Sequence, residues 1–69
     1  MSAPDLAAAR AGLLSILRQF GAQPEGDMAA LADVFGLEEA ELRALVEEMI
    51  GAGEVERFAG ALRAVGVAA

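Results

Sequence analysis

Apolar and polar positions along the chain divide it into three helical stretches followed by one alternating stretch. From Asp5 to Phe20, residues Leu6, Leu13, Leu14, Ile16, Leu17 and Phe20 fall on one broad arc at about 100° per residue, which predicts an amphipathic helix. Ala8, Ala11, Gly12 and Ser15 lie opposite. Pro4 suits the first turn, with Ser2 or Ala3 near the cap and Asp5 placed to favour the helix dipole. Gly21 supplies a stop, and Ala22-Gln-Pro-Glu-Gly26 reads as a loop. Asp27 is a suitable N-cap for a second helix over 28–35, which Gly36 ends and Leu37 follows as a buried turn residue. A third helix is expected over 39–50, with Leu42, Leu45, Val46, Met49 and Ile50 inward and Gly51-Ala-Gly53 closing it.

The segment 54–65 is a hairpin candidate with Ala59-Gly60 at its turn. A two-residue turn sets Glu56 opposite Arg63 and Val55 opposite Ala64. That cross-strand charge pair supports the register by a few tenths to ~1 kcal/mol. A minor strand between the first two helices is an optional addition to this order, and Gly66-Val-Ala-Ala69 reads as a frayed tail.

Composition narrows what such a chain can do. Sixty-nine residues suit one domain, 1–69, and a chain this size buries only about 60% of its unfolded surface. The hydrophobic fraction is 57%, but much of it is alanine, so core mass rests on the leucines, valines, isoleucines, methionines and three phenylalanines. There is no cysteine and no histidine, which excludes disulfides, thiolate chemistry and the common zinc sites. No apolar run approaches the roughly 20 residues of a membrane span, and the N-terminus lacks the basic region of a secretory signal, so a cytoplasmic location is expected. Eleven acidic residues oppose five arginines and no lysine, for a net charge of −6. A nucleic-acid duplex would meet long-range repulsion.

Ala32 within the second helix, Gly36 at the turn, Leu37 after it, and Leu42 and Leu45 in the third helix have the spacing of a helix-turn-helix. The phrase Gly53-Glu-Val-Glu-Arg-Phe, then a glycine and Leu62-Arg-Ala-Val65, is similar to the two strands of a wing. Over roughly residues 6–65 the chain thus resembles the winged helix-turn-helix superfamily. The resemblance implies an α+β, mostly α fold with three helices followed by a β-hairpin wing. It does not by itself imply DNA reading, because winged helices also serve in dimerisation and protein docking. Small accessory regulators of ferrous-iron uptake share the outline, but the cysteine cluster they carry is missing here.

In DNA-binding members the exposed face of the third helix enters the major groove. Here that face carries Glu39, Ala40, Glu41, Arg43, Ala44, Glu47 and Glu48. Carboxylates accept from cytosine N4, but they cannot supply the phosphate contacts that dominate affinity. Arg43 stands four residues from both Glu39 and Glu47, within reach of a pair inside its own helix. Arg57 and Arg63 are the cations of the wing, diluted by Glu54 and Glu56. The candidate partner-binding set is therefore Glu39, Glu41, Arg43, Ala44, Glu47, Glu48, Arg57 and Arg63. Arg10 falls inside the apolar arc of the first helix and needs a carboxylate or a route to solvent. The small-residue face of that helix would admit a second backbone, as in a homodimer seam, or lie exposed.

Catalysis finds no base or nucleophile with a partner, so no enzyme activity and no cofactor are expected. Glu38, Glu39 and Glu41 lack calcium-loop spacing, and no metal is expected. The leading expectation is a non-catalytic, regulatory interaction module that binds a protein partner, a basic one by charge, or itself, through an acidic third helix. The alternatives are a DNA-binding transcriptional regulator using the wing arginines, and an inhibitor that mimics nucleic-acid charge on a basic protein.

Overall fold

The computed structural model describes residues 5–66. The element order is α1 (Leu6–Phe20), β1 (Gln23–Pro24), a 3-10 turn (Glu25–Asp27), α2 (Met28–Phe35), α3 (Glu39–Gly51), β2 (Val55–Phe58) and β3 (Ala61–Ala64). This is the α+β, mostly helical order expected, three helices and then a hairpin, in the outline of a winged helix. No helix among the described residues is long and apolar enough to cross a membrane.

Asp5 caps α1, its side chain accepting from the Ala8 N–H at 3.0 Å. The cap was expected at Ser2 or Ala3, which with Pro4 lie outside the described residues, as do positions 67–69 of the expected tail. The buried stripe of α1 is Ala9, Leu13 and Leu17, spaced four residues apart, with Leu14 packed beside it. Leu6 and Phe20, expected on the inner arc, are instead exposed, because the helix overhangs the core at both ends. Gly12 is not an idle small residue. A Cβ there would stand 2.7 Å from Phe35 Cε1, so at Gly12 the close approach is made by α2 of the same chain, while Ala8, Ala11 and Ser15 are exposed.

The helix-turn-helix is built on a Schellman motif. Gly36 takes φ +70°, and its N–H donates to the Asp33 carbonyl while the Leu37 N–H donates to that of Ala32, at 3.1 and 2.9 Å. The motif turns Leu37 into the core and satisfies two helix-end carbonyls. The same bond pattern closes α3, where Gly53 donates to Ile50 and Glu54 to Met49. Asp27 differs from expectation: it precedes α2 but its side chain makes no capping bond, since the 3-10 turn delivers the chain to the helix directly. At the start of α3, Glu41 accepts from the Glu38 N–H at 2.9 Å.

The region between α1 and α2, read as a loop with an optional minor strand, contributes the short strand β1. The sheet runs β1-β3-β2, antiparallel throughout, with Gln23 opposite Leu62 and Pro24 opposite Ala61. Proline is tolerated there because β1 is an edge strand. The hairpin register is the expected one, Val55 opposite Ala64 and Glu56 opposite Arg63. One sheet face presents Val55, Leu62 and Ala64 to the core, joined by Met28, Ala32, Leu37, Leu42, Leu45, Val46 and Met49.

At the hairpin turn Ala59 and Gly60 both have positive φ, +53° and +77°. A type I′ turn requires this at both central positions, and alanine occupies the left-handed region at a cost of ~1–2 kcal/mol. Ala59→Asn is therefore expected to raise stability by ~1 kcal/mol, read as a higher urea midpoint at unchanged slope.

Candidate acidic interface

All seven outward residues of α3, from Glu39 to Glu48, are exposed. Leu42, Leu45, Val46 and Met49 are buried on the opposite side of the helix, so the acidic residues stand on the face turned away from the core. The arginines do not offset it freely. Arg43 is paired with Glu39 of its own helix, at 2.7–2.8 Å, rather than with Glu47.

Glu47 instead reaches Arg57. That side chain leaves β2 on the core-facing side of the sheet and donates to two carboxylates, Glu47 of α3 at 2.7 Å and Glu25 of the 3-10 turn at 2.5 Å. Donating to the Glu47 carboxylate first, and to that of Glu25 second, raises its pKa above the usual arginine value. Arg57 thus ties the wing to both the third helix and the segment after β1. The second wing arginine, Arg63, pairs with Glu56 across the hairpin, and its guanidinium lies 4.6 Å from the centroid of the Phe58 ring. Such contacts are individually weak at exposed positions.

Arg10 resolves the conflict noted in α1. It sits half-buried at the rim of the core and donates through Nε to Glu54 at 2.6 Å, joining α1 to the start of β2. Every arginine but Arg18 is therefore matched to a carboxylate among the described residues.

The acids left without a cation among the described residues include Glu41 and Glu48 on α3. They flank a depression of about 190 Å³, open to solvent and lined by Leu6, Glu41, Ala44, Leu45 and Glu48. Leu6, expected in the core, lies on this surface because it stands at the very start of the helix, one turn before the buried stripe begins. The structure brings Glu41, Ala44 and Glu48 together around this hollow. It places Glu39 with Arg43 and Glu47 with Arg57 elsewhere on the face, and Arg63 on the outer side of the wing. Among the described residues no group of three or more His, Cys, Asp or Glu side chains is placed to hold a metal ion.

No family model, curated protein or solved structure matches this chain.

Proposed function

We propose that this chain is a non-catalytic member of the winged helix-turn-helix superfamily whose third helix docks a protein partner carrying basic residues. The observation behind this reading is the engagement of the basic residues where a duplex would need them. Arg43, Arg57 and Arg63 each face a carboxylate, and on the exposed side of α3 Glu41 and Glu48 have no cation among the described residues. A phosphate backbone is bound by displacing counterions with Lys and Arg, so it would have to break these pairs and approach glutamates. A basic protein surface has the opposite requirement and meets it without rearrangement.

The expected result is the absence of measurable affinity for a labelled duplex at ~50 mM salt, where electrostatic binding is strongest. Removing the carboxylates from Arg57 with Glu25→Gln and Glu47→Gln should bring weak, salt-sensitive binding into view. Fluorescence anisotropy reads both. Tight duplex binding by the unaltered chain, lost in Arg57→Ala with Arg63→Ala but kept in Arg43→Ala, overturns the proposal in favour of a DNA-binding regulator.

A further inference from the structure

We infer that the hollow between α1 and α3 is a socket for one apolar side chain of a basic amphipathic helix, with Glu41 and Glu48 receiving that helix's lysines or arginines. The inference rests on the protein-docking reading above and names where and how docking occurs.

Glu41, Ala44, Leu45 and Glu48 stand at positions i, i+3, i+4 and i+7 of one helix. Four residues in that relation form the hole into which a knob from a facing helix inserts. Ala44 keeps the floor low and Leu6, 46% exposed, raises one apolar wall. The volume of about 190 Å³ exceeds the ~150 Å³ that accommodates a benzene-sized group, so a leucine- or methionine-sized side chain fits. Neither glutamate has a cation within the described part of the chain, although their neighbours Glu39 and Glu47 do. Charges flanking an apolar seam select the partner by sign. A second copy of this chain is disfavoured as occupant, because pairing the two seams would set Glu41 and Glu48 against their own equivalents at a net charge of −6 per chain.

The test titrates the isotope-labelled full chain with a synthetic amphipathic helix of leucine and lysine at three- and four-residue spacing. A second peptide carries alanine in place of leucine. The leucine peptide should move the signals of Leu6, Ala44 and Leu45, and the alanine peptide should bind at least roughly tenfold more weakly. Ala44→Leu, which fills the socket from within, should weaken the leucine peptide by a similar factor. Glu41→Gln with Glu48→Gln should weaken it and flatten its salt dependence. Glutamine at position 41 can still accept the Glu38 N–H, and a thermal melt checks that the variants are folded. Equal binding of both peptides, or an Ala44→Leu variant of full affinity, overturns the socket while leaving an acidic docking face intact. Shifts at these residues that grow with protein concentration alone overturn the choice of occupant in favour of a second copy. Shifts here on adding duplex DNA instead of peptide overturn both the socket and the reading on which it rests.

Discussion

Leu42→Ala is expected to cost ~2–5 kcal/mol and to leave much of the population unfolded. Leu42 is completely buried in the first turns of α3 and belongs to the same apolar cluster as residues from all three helices and the hairpin. Removing its branched end leaves a cavity that fixed helices on either side cannot close. A domain of this length holds a total stability of about 3–10 kcal/mol, so the loss is a large share of the whole. Urea denaturation of Leu42→Ala beside Val34→Ala makes the comparison internal. Val34 is also an aliphatic residue in a helix but is 70% exposed, and its truncation should stay within about 0.5 kcal/mol. A near-neutral Leu42→Ala would mean that the inner face of α3 is wrongly assigned, and with it the acidic outer face.

Gly36→Val is the second large effect, expected at ~2 kcal/mol. A Cβ at this position would meet nothing within 4 Å, so no clash contributes. The cost is that of holding a β-branched residue at φ +70°. Gly36→Asn should cost well under half as much, because asparagine tolerates the left-handed region. Equal losses for the two variants would show that packing, rather than backbone conformation, sets the requirement for glycine between α2 and α3.

These two positions also show what kind of information the chain carries locally. Gly36 and Leu37 were legible because a Schellman stop needs a specific residue type at a specific offset. The Glu56–Arg63 register was legible because a two-residue turn leaves one pairing once Ala59-Gly60 is placed at its centre. The outward set on α3 followed from helical period alone. By contrast, β1 is two residues long and has no period to detect, so its place between the helices was only an optional expectation and its residues and pairing with the open edge of β3 were not legible. Asp27 has the chemistry of an N-cap, and the 3-10 turn before α2 leaves its side chain unused. The partners of Arg57 lie 10 and 32 residues away, so nothing near it in sequence could distinguish a free wing cation from a clamped one. Leu6 and Phe20 share the helical phase of core residues, but burial also depends on how far neighbouring elements extend along the helix.

The clamp on Arg57 alters how the charge pattern is understood. A net charge of −6 disfavours a duplex at long range, where salt screens it. The ion pairs act at contact distance, by occupying the guanidinium groups that phosphates would need. Both effects act in the same direction, and the acidic face of α3 adds a third.

The most direct measurement titrates the isotope-labelled chain at ~50 mM salt with a short DNA duplex and, separately, with poly-lysine, following each backbone amide. Docking of basic residues on α3 predicts shifts at Glu41, Ala44 and Glu48 with poly-lysine, declining as salt rises, and a spectrum unmoved by the duplex. Duplex-induced shifts running along α3 and the wing, with poly-lysine leaving α3 untouched, would contradict it.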